Sequence, residues 1–200
     1  MKKSETGMAE YQKSFQKYGV DPKALKWASK RAAEQRYKQI VADIDFEGKS
    51  ILDVGCGFGD IIPYFSAKSK RFEYLGIDIT PEFIREAKKL YLEHKFIVGN
   101  YFAKPLKENF DVVICSGALN ANVRDNLDFR KKAIKTMFKH AKEIFVFNMV
   151  GRYPQPKTSS KSNVWFANPL EILEYCLGLT KKVILRHHYH SRDFTIVMFK

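Results

Sequence analysis

Two acidic residues bracket three glycines in residues 50–60, Ser-Ile-Leu-Asp-Val-Gly-Cys-Gly-Phe-Gly-Asp. Asp53 precedes the glycines at positions 55, 57 and 59, and Asp60 follows them. Glycine has no Cβ, so it lets a backbone turn sharply and approach a ligand closely. Two carboxylates at such a turn would repel a pyrophosphate, whereas they attract an ammonium or a sulfonium group. The spacing therefore predicts a binding turn for a small molecule that carries positive charge.

The residues around this turn predict the elements that position it. The apolar residues at 51, 52 and 54 are typical of a buried parallel strand, and we expect Asp60 to open a helix over residues 61–65. A second strand, residues 73–78, ends in Asp78, about twenty residues after the glycines. Strand, glycine turn, helix and a strand ending in an acid indicate a nucleotide-binding βαβ unit, with Asp78 placed to bind ribose hydroxyls.

The G-x-G-x-G spacing differs from the G-x-G-x-x-G of dinucleotide-binding folds. Residues 52–59, Leu-Asp-Val-Gly-Cys-Gly-Phe-Gly, resemble motif I of the class I, Rossmann-like S-adenosylmethionine (SAM) methyltransferases. The resemblance implies SAM as the cofactor. It also implies that Asp53 and the backbone around Gly55, Cys56 and Gly57 hold the methionine amino group, with a local cap of the turn as the alternative role of Asp53.

The same resemblance assigns the nucleoside end of the cofactor. Asp78 would accept both ribose hydroxyls, because Thr80 is expected to fill the structural role of helix cap, and Ile79 would pack on the adenine. Asn100 stands where the family usually has an Asp that reads the adenine amino group, and an Asn oxygen can accept the same bond. Tyr101 would supply an apolar wall and a backbone N–H for an adenine ring nitrogen. An ordinary loop asparagine is the alternative.

Residues 116–120, Ser-Gly-Ala-Leu-Asn, follow a predicted strand at 111–115, where the methyl group and the acceptor meet in the family. They lack the Asn/Asp-Pro-Pro-Tyr motif of enzymes that methylate amino groups of nucleobases or glutamine. Cys115 has no preceding proline, unlike the nucleophile of RNA cytosine-5 methyltransferases, and is expected to be buried. Ser116 and Asn120 are the catalytic candidates, with Ser116 also beside the cofactor. Asn120 would orient an acceptor or simply form a turn.

We expect residues 1–45 to form an N-terminal helical extension, or lid, and residues 46–200 to form the SAM-dependent domain. Two helices are predicted in the extension, at 8–18 and at 22–44, the second started by proline at its first position. Arg36 would bind the methionine carboxylate, with a solvated helix arginine as the alternative.

The chain also resembles a group of small bacterial methyltransferases of unassigned acceptor. These relatives carry an aromatic residue and a Gln-Arg-aromatic element in the extension, here Trp27 and residues 35–37. They also show a Ser-Gly-x-x-Asn loop and a Phe-Asn pair at the end of strand five, here residues 147–148.

Strands and helices alternate along the rest of the chain. Further strands are predicted at 95–98, 111–115, 143–148, 182–189 and 194–200, and helices at 80–91, 127–141 and from 168. Residues 190–193 are too few for a crossover helix, so the last two strands must be antiparallel. By resemblance, the fold is α/β with a seven-stranded sheet of order 3-2-1-4-5-7-6, the last strand antiparallel and helices on both faces. Residues 150–163 are expected to be a mobile loop.

Composition narrows the class of protein. The 200 residues fit one domain, and the three cysteines show no C-x-x-C pair, which indicates a reducing compartment without disulfides or zinc. No metal site is expected, since His187 and His188 would point to opposite faces of a strand. No apolar run approaches the ~18 residues of a membrane span. We therefore expect a soluble, cytoplasmic protein with no membrane partner.

The net charge of +13 leaves the partner open. It attracts RNA or an anionic substrate, or it serves solubility alone. The leading hypothesis is methyl transfer to an O or N atom of a small molecule. The alternatives are an RNA methyltransferase that uses Lys131, Lys135 and Lys139 on phosphates, and an inactive SAM-binding subunit. The acceptor, the general base and the oligomeric state are not assigned by the sequence.

Overall fold

The computed structural model describes residues 2–27, 29–157 and 162–200, and its seven strands run in the predicted order β3-β2-β1-β4-β5-β7-β6. The strands are β1 (Lys49–Val54), β2 (Phe72–Asp78), β3 (Lys95–Val98), β4 (Phe110–Ser116), β5 (Ala141–Val150), β6 (Val183–Arg186) and β7 (Asp193–Phe199). Strand β7 is antiparallel to both of its neighbours, β5 and β6. The predicted α/β fold class is confirmed.

The helices are α1 (Lys2–Tyr18), α2 (Lys30–Val41), α3 (Ile62–Ser66), α4 (Pro81–Leu90), α5 (Asn126–His140) and α6 (Pro169–Leu177). The chain divides into two compact units, which we call the N-terminal unit (residues 1–106) and the C-terminal unit (residues 107–200). The first contains α1–α4 and β1–β3, and the second contains the remaining elements. None of the helices in the described residues has the length and apolarity needed to cross a membrane.

In the N-terminal unit, the helix predicted over residues 22–44 is present, but its bounds are wrong because α2 spans only Lys30–Val41. Residues 22–26 form a turn, in which Lys26 has a left-handed backbone (φ 59°), and α2 begins only at Lys30. The side chain of Ser29 caps α2 by accepting a hydrogen bond from the Ala32 N–H. Asp21 instead accepts from the N–H of Lys23, so its side chain closes a local turn.

In the C-terminal unit, α5 packs with the expected apolar stripe toward the sheet. Ile134 and Met137 are fully buried, and so is Cys115 on β4, as predicted. The strand predicted at 182–189 is shorter, because β6 ends at Arg186, and His187 and His188 therefore lie in the connection to β7. The predicted mobile loop, 150–163, includes residues 158–161, which lie outside the described residues.

Candidate functional site

The glycine turn that follows β1 has the backbone conformation that its composition predicts. Gly55, Gly57 and Gly59 have φ values of +77°, +55° and +80°, which L-residues with side chains rarely adopt. The N–H groups of Gly55 and Cys56 both donate to the carbonyl oxygen of Ile77, at 2.8 and 3.2 Å. These bonds join the turn to the end of β2, so that the turn and the strand end form one continuous edge. Cys56 is buried, and its contribution to this edge is its backbone.

Asp78, the last residue of β2, connects this turn to α4. One carboxylate oxygen accepts from the Gly57 N–H at 3.0 Å, and the other accepts from the Thr80 N–H at 2.8 Å. Burial raises the pKa of Asp78, and the N–H donors of Thr80 and Gly57 oppose that rise. Thr80 is the N-cap residue of α4, as expected, but its side chain makes no capping hydrogen bond. Asp78 therefore organises the turn itself, in addition to any ligand role.

Asp53 lies inside the sheet. It is 3% exposed, and one carboxylate oxygen accepts from the Tyr74 hydroxyl at 2.8 Å. Burial raises the pKa of Asp53 to about 7; the Tyr74 hydrogen bond opposes this, while the charges of Asp78 and Asp60 add to it. The Asp53 carboxylate thus joins β1 to β2 below the turn.

This buried acid makes the stability of the fold depend on pH. The pKa of Asp53 rises from 3.8 to about 7 on folding, so between these values the folded state keeps a proton that the unfolded state has released. The free energy of unfolding therefore falls as the pH rises through this window, by up to about 4 kcal/mol. We expect Asp53→Asn to remove this part of the slope in urea unfolding measured from pH 4.5 to 8.

A matched variant gives this prediction its control. Tyr74→Phe removes the donor that lowers the pKa of Asp53, so the decline in stability should extend above pH 7. Asp60 and Asp78 also have raised pKa values, and they contribute a slope of the same sign in every variant. Parallel curves for wild type and Asp53→Asn would contradict the assignment.

Asp60 differs from Asp53 in its surroundings. It is partly exposed, and its carboxylate makes no hydrogen bond with the described residues. Burial raises its pKa, and the charge of Lys30 at the start of α2 opposes the rise. The predicted helix start at Asp60 is wrong, since α3 begins at Ile62 with Ile61 as its N-cap residue. Asp60 therefore lies at the end of the turn as an acidic side chain that does not cap a helix.

The residues predicted for the adenine follow β2 and β3. Ile79 is partly exposed beside Asp78, whereas the side chain of Tyr101 is 3% exposed. The side-chain oxygen of Asn100 accepts from the Ala103 N–H at 3.2 Å, so Asn100 also caps a local turn. Its oxygen has a second lone pair, so this bond does not prevent the predicted contact with an adenine amino group.

Arg36, the predicted carboxylate ligand, is 8% exposed, so the alternative of a solvated helix arginine is wrong. Its guanidinium group lies over the ring of Trp27, 4.5 Å from the centroid. The Trp27 ring also meets Tyr37 edge to face, with the centroids 6.1 Å apart. The aromatic residue and the Gln-Arg-aromatic element noted in the sequence therefore pack together.

The N-terminal segment packs directly on the glycine turn. A Cβ at Gly57 would lie 2.9 Å from a methyl carbon of Leu25. Phe58 of the turn packs with Phe83 of α4 at a centroid distance of 4.8 Å, and Phe15 of α1 contacts both rings. The predicted extension is thus joined to the turn by an apolar cluster that also includes Ala24.

In the C-terminal unit, Ser116 and Gly117 are held by an asparagine on the next strand. Asn148 of β5 is fully buried; its side-chain oxygen accepts from the Gly117 N–H at 3.0 Å, and its amide nitrogen donates to the Ser116 hydroxyl at 3.2 Å. Gly117 has a φ of +78°. Asn148 therefore fixes the sharp turn that leaves β4, a role that explains its place in the Phe-Asn pair.

Asn120, the other catalytic candidate, ties the same loop to the end of β5. Its side-chain oxygen accepts from the Val150 N–H at 2.8 Å, and its backbone oxygen accepts from the Trp165 N–H at 3.0 Å. Asn120 thus has the predicted turn-forming role. Both of its oxygens are used in these bonds, so only its amide nitrogen could bind a methyl acceptor.

Sequence reasoning missed Arg130, a fully buried residue of α5. Its guanidinium group donates to the backbone oxygens of Leu119 and Ala121 and to both oxygens of Asn126. It also lies 4.8 Å from the centre of the Trp165 ring. Position 130 is in helical register with the buried residues 133, 134 and 137, and that register was the available signal.

The described residues contain no group of three or more His, Cys, Asp or Glu side chains that could hold a metal ion. The groups that the structure brings together in the N-terminal unit are instead the glycine turn and three acids, Asp53, Asp60 and Asp78. Such a set suits an organic ligand with a positive group and hydroxyls to bind.

Comparisons with known proteins agree with this reading of the geometry. Residues 51–143 match the family model of a methyltransferase domain. A predicted methyltransferase of Mycobacterium tuberculosis, Rv1506c, is 27% identical over 157 residues, which cover 76% of this chain and 93% of the relative.

Two solved structures have the same fold. DhpI in complex with S-adenosylhomocysteine (SAH) has a TM-score of 0.66 at 17% identity, and the match covers 96% of this chain and 94% of that chain. The magnesium protoporphyrin IX methyltransferase ChlM of Synechocystis PCC 6803, with bound SAH, has a TM-score of 0.65 at 16% identity, and the match covers 98% of this chain and 94% of that chain.

The domain match begins at residue 51, inside β1, and includes the glycine turn, β2 and its terminal acid. The strand order is also the one that the family resemblance predicted. Residues 51–143 therefore match a methyltransferase domain, and the sheet has the strand order of the class I, Rossmann-like SAM-dependent methyltransferases.

Proposed function

We propose that this chain transfers a methyl group from SAM to an O or N atom of a small-molecule acceptor. The observation that carries the proposal is the glycine turn bound to the carboxylate of Asp78 at the end of β2. SAM supplies a methyl group on a sulfonium, which is already an activated leaving group. The protein therefore has mainly to hold the acceptor in line with that methyl group, and positioning of this kind contributes roughly 7–11 kcal/mol.

The acidic turn fits the charge of this cofactor. Its ammonium and sulfonium groups would lie over Gly55, Cys56 and Gly57, in the field of Asp53 and Asp60. Asp60 supports this part of the proposal because it is partly exposed and forms no hydrogen bond with the described residues. Asp53 has a pKa of about 7, and the positive groups of the cofactor would favour its ionised form within the sheet, where Tyr74 holds it.

The other end of the cofactor fits the polar groups that follow the next two strands. Asp78 would accept the ribose hydroxyls with the lone pairs that Gly57 and Thr80 leave free, while Ile79, Asn100 and Tyr101 would line the adenine. Arg36 would bind the methionine carboxylate as a charge-assisted pair. Residues 1–45 would act as the lid of the domain at 46–200, a role that the packing of Leu25 on Gly57 supports.

A small acceptor is favoured over RNA by three observations. The turn after β4 lacks the Asn/Asp-Pro-Pro-Tyr motif of nucleobase amino methylation. One solved structure with this fold is by name a methyltransferase of magnesium protoporphyrin IX, a small molecule. Of the three lysines considered for phosphate binding, Lys131 lies over the ring of Tyr175 and is only partly exposed.

The proposal is tested in two steps. Calorimetric titration with SAH should give saturable binding, and no binding would contradict the proposal. Incubation of cell extract with the enzyme and SAM that carries a deuterated methyl group should label a low-mass compound, which mass spectrometry detects. Label in RNA, with binding that weakens steeply as salt rises, would favour the RNA alternative instead. SAH binding without label in any fraction would favour an inactive subunit.

A further inference from the structure

The β6–β7 connection of the C-terminal unit places a histidine in an orientation suited to accept a proton. Nδ1 of His187 lies 2.9 Å from the backbone carbonyl oxygen of Asp193. A carbonyl oxygen can only accept a hydrogen bond, so Nδ1 carries the proton and donates it. In the neutral ring the other nitrogen, Nε2, then has a free lone pair. His187 forms no other hydrogen bond with the described residues.

The ring of His187 is also held in place. It meets the fully buried ring of Phe194 edge to face, at a centroid distance of 6.3 Å and an interplanar angle of 86°. His187 itself is partly exposed, so its ring combines a fixed plane with access to solvent. A fixed tautomer and a fixed plane are the two properties that a general base needs before its substrate arrives.

The topology puts this histidine at the edge of the sheet where ligands bind in α/β folds. Asp193, the first residue of β7, pairs with Val150, the last residue of the antiparallel neighbour β5. The Gly151 N–H donates to the Arg192 carbonyl, and the Val150 N–H donates to the Asn120 side chain. The connection that carries His187 therefore adjoins the loop after β4, at the carboxyl ends of β4 and β5.

Polar side chains continue across this edge. Asn148 of β5 pairs in register with Ser116 of β4 and with Thr195 of β7. The hydroxyl of Tyr189 lies 2.9 Å from that of Thr195, which is fully buried. The hydrogen-bonded pairs Asn148–Ser116 and Tyr189–Thr195 therefore hold polar groups in fixed positions at this end of a mostly apolar sheet.

We propose that His187 is the general base that deprotonates the methyl acceptor, a small molecule whose nucleophile is a hydroxyl or a protonated amine. This inference rests on the proposed function. The acceptor O–H or N–H bond breaks, and its proton moves to Nε2 of His187. The lone pair left on the acceptor atom forms the new bond to the methyl carbon, as the bond from that carbon to sulfur breaks. His187 then releases the proton to solvent.

The surroundings of His187 suit the transient imidazolium. Nδ1–H keeps its bond to the Asp193 carbonyl in both protonation states. The Asp193 carboxylate, 2% exposed, adds negative charge to the same connection, 3.2 Å from Nδ1 of His190. His190 Nδ1 also lies 3.2 Å from the Arg192 N–H. Nδ1 of His190 therefore contacts both a hydrogen-bond acceptor and a hydrogen-bond donor, so these contacts do not define its tautomer. The contacts of His187 do define its tautomer.

The tautomer can be tested in the ligand-free protein by NMR of a sample with ¹⁵N-labelled histidine. We expect His187 to carry its proton on Nδ1 when the ring is neutral. Its signals are assigned by their loss in His187→Gln, and those of its exposed neighbour by their loss in His188→Gln. A proton on Nε2 of His187 would overturn the proposal, whether or not SAM binds.

The role in catalysis is tested with the acceptor labelled by deuterated SAM. His187→Gln should lower kcat by about 10²- to 10⁴-fold, the usual contribution of a general base, without changing the affinity for SAH. His188→Gln should leave kcat unchanged. Added imidazole should restore turnover to His187→Gly, an effect that a purely structural histidine would not show. A kcat of His187→Gln within threefold of wild type would overturn the inference, while loss of SAH binding by wild type would overturn the proposed function instead.

Discussion

Asp78→Ala is expected to weaken the binding of SAH by at least about 100-fold. The Asp78 carboxylate orders the Gly57 and Thr80 N–H groups, and in the proposed function it also accepts the ribose hydroxyls. A hydrogen bond to a charged group contributes about 1.5–3 kcal/mol, so the loss of two such bonds to a ligand corresponds to a factor of 100 or more. Calorimetric titration of both proteins measures the difference.

The comparison of ligands separates the two tasks of Asp78. 5′-Methylthioadenosine has the ribose of SAH but not its amino acid, so Asp78→Ala should weaken its binding through the ribose contacts alone. The binding of SAH should weaken by a larger factor, because the turn that Asp78 orders also holds the amino-acid end. Asp60→Asn should weaken only the binding of SAH. Glu73→Ala, at an exposed position of the same strand, is the matched control and should change neither. An unchanged affinity of Asp78→Ala for SAH would remove the basis of the ribose assignment.

The turn itself was predictable because local sequence determines its backbone. Three glycines at alternate positions permit three left-handed residues, and no distant contact is needed to recognise that pattern. The strand order required the family resemblance, since alternating elements are compatible with more than one sheet. The chemistry of the turn and the identity of the fold were therefore accessible from residues 50–60 and the order of elements.

The pair formed by Asp53 and Tyr74 could not be read in the same way, because it depends on strand register. Asp53 of β1 pairs with Gly76 of β2, and Tyr74 is two residues before that glycine on the same face. The Tyr74 side chain runs along the sheet to the Asp53 carboxylate, while Cys56 and Phe96 fill the space over Gly76. The sequence motif indicated a ligand-binding role for Asp53, but nothing in the sequence indicated its hydrogen bond with Tyr74.

The prediction for the N-terminal segment was wrong for a different reason. Proline after an aspartate is a valid helix start signal, but the same residues also form a compact turn. Residues 22–26 form a turn in this protein because Ala24 and Leu25 then pack into the apolar cluster over the glycine turn. The helix signal at residue 22 contains no information about that packing. Tertiary packing of this kind overrides a local propensity of a few tenths of a kcal/mol.

Arg130→Met is expected to destabilise the protein by about 3–5 kcal/mol. Arg130 is fully buried, and it satisfies the carbonyl oxygens of Leu119 and Ala121 together with Asn126. The Leu119 oxygen is a buried acceptor, and leaving it without a donor costs about 1–3 kcal/mol. The lost bonds from the charged group to the exposed Ala121 and the partly exposed Asn126 add to this cost, whereas methionine replaces most of the lost packing. Burial lowers the pKa of Arg130 to about 10, so the group stays charged in both states near neutral pH and this loss is independent of pH there.

Urea unfolding checks this prediction, with Arg124→Met as the matched control. Arg124 is exposed on the same loop, and its replacement should change the free energy of unfolding by less than about 0.5 kcal/mol. Arg130→Lys should recover little, because an ammonium group cannot reproduce the planar fork that reaches Leu119 and Ala121 together. Full stability in Arg130→Lys would mean that charge alone suffices and that the fork geometry does not hold the loop. The same loop carries Asn120, the catalytic candidate. Normal turnover by a stable Arg130→Met protein would therefore show that methyl transfer does not depend on the bonds from Arg130 to this loop.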